Sequence, residues 1–269
     1  MIDYHVHSDC SGDCSVPMLD VCREAVGRGI KIICFTEHID FEPTDACYGT
    51  FDYPLYRSRI QEAREAFAGE LDIRCGVEVD FVGKYRSRIE DFLAGKDFDY
   101  VLGASHYVNG VILEDHELYF PGKTAEEAYT PFFDNTLAAV ETGWFDAIAH
   151  LDLCKRYGVH YLGRFDWTPY RERIEQILRA VIERDMALEI NTSGLRQLPG
   201  DTYPCREILE FYFALGGRSI TVGSDAHYAA DVGRGIAQAL EMARSVGFEH
   251  VRAFKDREFA LMPISEVPR

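Results

Sequence analysis

The chain begins Met1-Ile2-Asp3-Tyr4-His5-Val6-His7, and this stretch decides the fold. Apolar or aromatic side chains at the even positions alternate with polar ones, which is the two-residue period of an extended strand. His5 and His7 are therefore expected on the same side of that strand. Because two imidazoles at this spacing can bind one cation, the first strand predicts part of a metal site.

The same arrangement recurs near the other end of the chain, in residues 220–227, where Asp225 and His227 are again two positions apart. Between the two stretches, further ligand-type residues lie at or just after the polar end of an apolar run: His38, Glu78, His106 and His150. A single His-x-His is weak evidence for a metal. Ligand residues at the same end of several successive strands instead predict a polynuclear metal site.

Apolar runs with strand character alternate with amphipathic helical segments along the whole chain. The predicted strands are 1–7, 31–38, 71–79, 100–105, 145–149, 187–191 and 219–224, and the predicted helices are 17–29, 54–68, 86–93, 124–142, 168–184, 205–215 and 233–246. Repeated strand–helix units predict a parallel sheet. Seven strand–helix units in succession favour a closed or nearly closed barrel, formed as a single domain over residues 1–269. In such barrels the active site lies at the carboxyl ends of the strands, where the ligand-type residues fall.

Three long connections are predicted to be irregular, namely residues 39–53, 107–123 and 151–167. Because compact domains rarely keep so long a loop without a function, we expect the first of these connections to be a lid or to contact a substrate. The first two are acidic and also carry aromatic side chains that could face it, at Tyr48, Phe51, Tyr53 and Tyr119. The residues after 246 are predicted to form only a short tail.

The composition indicates a globular, acidic protein, with 47% hydrophobic residues and a formal net charge of −17. A nucleic-acid partner is not expected, because phosphate backbones require a basic footprint. A metal cluster and a few arginines could still bind a small phosphorylated molecule. No signal peptide, long apolar segment or paired cysteine framework is recognisable, so we expect a cytoplasmic protein that does not associate with membranes. The absence of a Gly-x-Gly-x-x-Gly motif after the first strand argues against a dinucleotide-binding fold.

Taken together, these residues resemble the signature of the polymerase and histidinol phosphatase (PHP) family. The matching motifs occur in order over nearly the whole chain: His5-x-His7, Glu37-His38, Glu78, Ser105-His106, His150 and Asp225-x-His227. Other stretches resemble the stand-alone histidinol-phosphate phosphatases of this family, among them Lys155-Arg156-Tyr157 and residues 191–196. The resemblance implies an α/β fold, a distorted (β/α)7 TIM-like barrel, with a trinuclear metal centre.

Carried over by motif, the resemblance implies three metal positions with shared ligands: His5, His7, Glu78 and Asp225 for the first, Glu78, His106 and His150 for the second, and Asp13, His38 and His227 for the third. Many family members have histidine at the position of Asp13, and Asp9 is a nearby alternative to it. A carboxylate there makes the third position more tolerant of manganese than of zinc. The expected cofactors are two to three divalent ions of manganese, iron or zinc.

The resemblance also implies hydrolysis of a phosphate monoester by a metal-bridged hydroxide. Bridging metals lower the pKa of bound water and absorb phosphoryl charge, and Glu78, Asp225 and His227 are the implied catalytic residues. The remaining charge on the phosphate can be bound by an arginine, whose guanidinium donates two parallel hydrogen bonds to two phosphate oxygens. The implied phosphate- and substrate-binding residues are Arg156, Tyr157, Arg196 and Ser105.

The leading hypothesis is a metal-dependent phosphomonoesterase that hydrolyses L-histidinol phosphate in histidine biosynthesis. One alternative is a phosphoesterase of the same fold that acts on another small phosphomonoester or on a nucleotide. A non-catalytic alternative is a regulatory metal-binding module, which the complete ligand set disfavours. Glu37, on the opposite side of its strand from His38, is expected to support a ligand rather than to bind metal.

Overall fold

Strands and helices alternate along the chain, as the hydrophobic periodicity predicts. In the computed structural model, which describes residues 1–264, the elements are β1 (Ile2–Val6), α1 (Met18–Gly27), β2 (Ile32–Ile39), α2 (Tyr53–Ala66), β3 (Asp72–Asp80), α3 (Arg86–Leu93), β4 (Tyr100–Ala104), β5 (Tyr107–Val108), β6 (Val111–Ile112), α4 (His116–Tyr119), α5 (Ala125–Thr142), β7 (Ala147–Ile148), α6 (Cys154–Leu162), α7 (Arg171–Glu183), β8 (Ala187–Asn191), α8 (Arg206–Ala214), β9 (Ile220–Gly223), α9 (Ile236–Val246), β10 (His250–Lys255) and β11 (Glu258–Pro263). No helix in this part of the chain is both long and apolar enough to cross a membrane.

A parallel seven-stranded sheet, in the order β1-β2-β3-β4-β7-β8-β9, forms the centre of the molecule. Its strands pair in chain order, as expected when each is connected to the next by a crossover of the same hand. The first and last strands also meet, since Asp225 N donates to His5 O at 2.7 Å and His7 N donates to Ala226 O at 3.0 Å. The fold is therefore the distorted (β/α)7 barrel that was predicted.

Asp3 holds the first and last strands together. Its buried carboxylate accepts hydrogen bonds from the Ser224 hydroxyl, from Ser224 N at 2.8 Å and from Gly233 N at 2.9 Å. These donors satisfy a carboxylate that would otherwise be costly to bury. The carboxyl ends of β1 and β9, where four of the predicted ligands lie, are consequently fixed relative to each other.

A hairpin of β10 and β11 closes the amino-terminal end of the barrel, where only a tail was predicted. Tyr4 OH donates to Phe254 O at 2.8 Å, and the ring of Phe254 lies 5.1 Å from that of Tyr100. The turn consists of Asp256 and Arg257, both with positive φ, the conformation that two-residue hairpin turns require. The last five residues of the predicted tail, 265–269, lie outside the described part of the chain.

The predictions of irregular loops over residues 107–123 and 151–167 are wrong, because the first connection contains β5, β6 and α4 and the second contains α6. The buried face of α6 consists of Cys154, Lys155 and Gly158, so it lacks the apolar periodicity that identifies a helix. Gly158 is required for the packing of α6 on α5, since a Cβ there would lie 2.1 Å from the hydroxyl oxygen of Tyr129. The placement of α6 brings Arg156 to the carboxyl end of the barrel.

Candidate metal centre

The predicted metal ligands all lie at the carboxyl ends of barrel strands or in the loops that follow them. His5, His38 and Glu78 are strand residues, and the others come after β1, β4, β7 and β9: His7, Asp13, His106, His150, Asp225 and His227. The structure gathers their side chains at the base of a cavity of ≈ 590 Å³. His5 and His7 lie below its surface and are wholly buried.

The first group of donor atoms combines β1 with residues from β3 and from the loop after β9. His5 Nε2 lies 3.1 Å from His7 Nε2 and 3.1 Å from Glu78 Oε2, and His7 Nε2 lies 3.6 Å from Asp225 Oδ1. Ligands placed about 2.0–2.2 Å from one tetrahedral ion are separated by comparable distances. These four side chains fit the first metal position.

The second group uses the other oxygen of Glu78. Glu78 Oε1 lies 2.9 Å from His150 Nε2 and 3.5 Å from His106 Nε2, and the two imidazole nitrogens are 3.3 Å apart. Because the two carboxylate oxygens face different groups of histidines, Glu78 has the geometry of a bridging ligand.

The third group combines one residue from the loop after β1, one from β2 and one from the loop after β9. Asp13 Oδ2 lies 3.1 Å from His227 Nε2 and 3.4 Å from His38 Nε2. Asp9, the alternative, instead accepts a hydrogen bond from Met18 N at 3.3 Å at the start of α1. The structure thus places Asp13, and not Asp9, beside these histidines.

The chemistry of the donor atoms fits bound divalent cations. Burial and the nearby His227 lower the pKa of His7 to about 3, and burial lowers the pKa of His106 to about 3. Both imidazoles are therefore neutral near pH 7, which is the form that binds metal. Mixed histidine and carboxylate groups suit zinc, manganese and iron.

Buried carboxylates outside the three groups orient the histidines. Glu189 accepts from His5 Nδ1 at 2.6 Å and, through its other oxygen, from His150 N at 2.9 Å. Glu37 accepts from the Ser11 hydroxyl at 2.8 Å, and Ser11 Oγ lies 3.2 Å from His7 Nδ1. Contacts of this kind fix the ring orientation and leave Nε2 directed at the metal position. Glu189 was not predicted from the sequence, although a charged residue inside an apolar strand was a usable signal.

The predicted phosphate-binding residues differ in their surroundings. Arg156 and Tyr157 line the cavity, and the Arg156 guanidinium lies 4.9 Å from the Tyr157 ring without a hydrogen-bond partner in residues 1–264. Arg196 also lines the cavity, but its guanidinium donates to Ser224 O at 2.8 Å and lies 3.4 Å from Asp231. Arg196 is therefore partly engaged in holding the end of β9.

The prediction that Ser105 contacts the substrate does not agree with the structure. Its buried hydroxyl lies 3.2 Å from Asn135 Nδ2 and 3.3 Å from Thr136 Oγ1, so it faces α5 and not the cavity. The neighbouring residue points the other way, because side chains alternate across an extended backbone, and His106 lines the cavity.

Part of the cavity wall is acidic. Carboxylates from both predicted substrate loops line it: Asp40, Asp45, Glu114 and Asp115. Burial raises the pKa of Asp40 to about 7. The aromatic residues predicted for this wall lie elsewhere; Tyr119, for example, is buried and donates to Ala128 O at 2.7 Å. The aromatic side chains that line the cavity are Tyr107, Tyr157 and Tyr228.

Comparisons with known proteins agree with this geometry. The PHP domain family model matches residues 3–193. The chain is 29% identical to a histidinol-phosphatase from Lactococcus lactis over 254 residues, 94% of each protein. It is 30% identical to a probable histidinol-phosphatase from Thermotoga maritima over 251 residues, 93% of this chain and 94% of the relative.

Solved structures share the fold over nearly the whole chain. A crystal structure of histidinol phosphate phosphatase from Lactococcus lactis, complexed with zinc, L-histidinol and phosphate, superposes with a TM-score of 0.88 at 29% identity and covers 96% of this chain and 98% of that one. A putative histidinol phosphatase from Listeria monocytogenes has the same fold, with a TM-score of 0.73 at 21% identity, covering 88% of this chain and 99% of that one.

Proposed function

Because the chain belongs to the PHP domain family, we propose that it is a metal-dependent phosphomonoesterase that hydrolyses L-histidinol phosphate to L-histidinol and phosphate. One observation carries the proposal: three groups of metal donors and an unpaired arginine face the same cavity. The similarity to the Lactococcus histidinol-phosphatase over 94% of both chains supports the substrate.

The three donor groups would hold two to three divalent ions of manganese, iron or zinc. Bound there, such ions supply a nucleophile at neutral pH and neutralise charge on the phosphoryl oxygens. Glu78 would bridge two of them, and Asp225 and His227 would complete the first and third positions. The Asp13 carboxylate adds a hard oxygen ligand to the third, which favours manganese or iron there.

The protein's own side chains would bind and orient the substrate. Arg156 faces the cavity without another partner in the described chain, so its guanidinium is available to hold two phosphate oxygens. Arg196 and the Tyr157 hydroxyl would add further donors. Asp40, which lines the cavity and lies two positions after His38 in the sequence, would hold the proton that the leaving alkoxide requires.

The acidic wall would select the alcohol half of the substrate. Histidinol phosphate carries a cationic amine and an imidazole opposite its phosphate, and carboxylates such as Glu114 and Asp115 can meet the amine. The same wall repels the additional phosphates of a nucleotide. Selection by charge in this cavity therefore favours a small phosphate ester with a cationic alcohol half.

We also propose that residues 1–269 act as one domain located in the cytoplasm. The family match ends at residue 193, but Asp225 and His227 follow β9, so the site needs the later part of the chain. The cysteines, Cys10, Cys14, Cys22, Cys34, Cys47, Cys75, Cys154 and Cys205, are all free thiols, as is usual in a reducing compartment.

The substrate is tested by comparing histidinol phosphate with a simple aryl phosphate on metal-reconstituted protein. We expect kcat/KM for histidinol phosphate to be higher by at least about a hundredfold, or roughly 2.7 kcal/mol. Equal values for the two, or a preference for a nucleotide, would leave a phosphatase but refute histidinol phosphate as its substrate.

The proton-donor role of Asp40 is tested by changing the leaving group. Asp40→Asn should lower kcat for histidinol phosphate by roughly 10²–10⁴-fold. It should lower kcat much less for p-nitrophenyl phosphate, whose leaving group is stable without a proton. An equal loss on both substrates would assign Asp40 to metal or substrate binding instead.

A further inference from the structure

The connection between β7 and α6 joins a predicted metal ligand, His150, to the proposed phosphate-binding residue Arg156. Leu153 N donates to His150 O at 2.8 Å, and Arg156 N donates to Leu153 O at 2.8 Å. Arg156 therefore lies two successive hydrogen-bonded turns beyond a predicted metal ligand, His150. Its guanidinium contacts the Tyr157 ring but has no hydrogen bond in residues 1–264. The direction of this side chain consequently depends on where the backbone of α6 is held.

A buried ion pair holds that backbone from the opposite side. Lys155 is only 3% exposed, and its ammonium donates to Asp152 Oδ2 at 2.9 Å and to Thr202 O at 2.7 Å. The same oxygen of Asp152 accepts from Cys205 N at 3.0 Å. Successive helical side chains are about 100° apart, so Lys155 points away from the cavity while Arg156 points toward it. The pair attaches the first turn of α6 to residues 202–205.

Residues 202–205 are in turn attached to the metal centre. Asn191 N donates to Tyr203 O at 2.8 Å, and Tyr203 N donates to Asn191 O at 2.9 Å. The Asn191 side-chain amide donates to Asp225 Oδ2 at 3.2 Å. The first turn of α6 is therefore fixed by His150 on one side and by the end of β8 on the other.

We infer that Lys155, paired with Asp152, is a positioning residue that fixes the Arg156 guanidinium at the distance from the metal centre that a bound phosphate requires. This inference rests on the proposed phosphatase function. A buried ion pair is a poor means of stabilising a fold, because the cost of removing both charges from water offsets most of their attraction. Its directional hydrogen bonds do, however, define one position for the helix.

The inference is tested with a cycle of four proteins: the wild type, Lys155→Met, Arg156→Ala and the double variant. Each is loaded with metal, checked by elemental analysis, and titrated calorimetrically with inorganic phosphate. Lys155→Met should weaken phosphate binding by at least about tenfold when Arg156 is present, and by less than about twofold when it is Ala, because the two residues act as one unit.

Two controls separate positioning from general destabilisation. Arg252→Met removes another buried cation, which binds Asp185 away from the cavity; it should lower Tm without changing phosphate affinity. Asp152→Asn combined with Lys155→Met removes both charges, so no unpaired carboxylate remains buried, and this variant should show the same loss of phosphate binding as Lys155→Met alone.

The outcomes distinguish the inference from the function on which it rests. Equal losses from Lys155→Met in both Arg156 backgrounds, or no loss in either, would refute positioning while wild-type phosphatase activity stands. A metal-loaded wild type that neither binds phosphate nor hydrolyses a phosphomonoester would refute the proposed function, and the inference with it.

Discussion

Two kinds of residue form the site: residues whose side chains are candidate metal ligands, and residues that hold those ligands in place. Glu78 contacts histidines of two donor groups through different oxygens, whereas Glu189 contacts the far nitrogen of His5 and the backbone N–H of His150. Replacing the first should remove metal, and replacing the second should misorient a ligand. The two carboxylates are both buried, so their partners and not their exposure define their roles.

The variant Glu78→Gln tests directly whether Glu78 bridges two metal positions. An amide lacks the charge and the second oxygen donor of a bridging carboxylate, so this variant should lose both ions that Glu78 would bridge while its far-UV circular dichroism stays unchanged. Elemental analysis gives the metal content. Glu114→Gln, on the cavity wall but outside the donor groups, should keep its full complement. Normal metal content in the Glu78 variant would refute the bridging role.

The positions of most candidate ligands at one end of the barrel could be predicted from the sequence because they depend on local patterns, whereas Asp13 came from the family resemblance. His5 and His7 follow from strand alternation, and His38, His106 and His150 from the ends of apolar runs. The contacts that orient them could not be predicted in the same way. Glu189 meets His5 across 184 positions of the chain, and the direction of the Ser105 hydroxyl depends on how α5 packs against β4.

Elements were predictable wherever a buried face was apolar and periodic. The barrel strands and the long helix α5, with its Thr124 and Glu127 capping box, meet that condition. Helix α6 does not, because it buries Lys155 and packs through Gly158. The C-terminal hairpin was missed because its turn, Asp256-Arg257, has none of the glycine or asparagine that usually marks a two-residue turn.

The hairpin should stabilise the barrel without taking part in its chemistry, since it lies at the end opposite the cavity. Phe254 is buried against Tyr100, so Phe254→Ala should lower the free energy of unfolding by about 3–5 kcal/mol. Urea titration measures this loss. Leu261→Ala, at a position 58% exposed in the same hairpin, should cost less than about 1 kcal/mol. A kcat/KM that falls for folded Phe254→Ala would show that the hairpin does affect the site.

At the scale of the whole molecule, the charge distribution explains how a strongly acidic protein can bind a phosphate ester. The formal net charge is −17, yet the lining of the cavity combines metal donors and two arginines with carboxylates outside the donor groups. Long-range repulsion disfavours nucleic acids and polyphosphates. A small ester with a cationic alcohol half meets complementary charge at both ends.

The central claim is hydrolysis at a centre of two to three metal ions, and titration of metal back into stripped protein tests it most directly. Manganese, iron and zinc are added separately while histidinol phosphate hydrolysis and bound metal are measured together. We predict no activity in the stripped protein and full activity, for at least one of the metals, only when two to three equivalents are bound per chain. Full activity in the stripped protein, or saturation at one equivalent, would contradict the account.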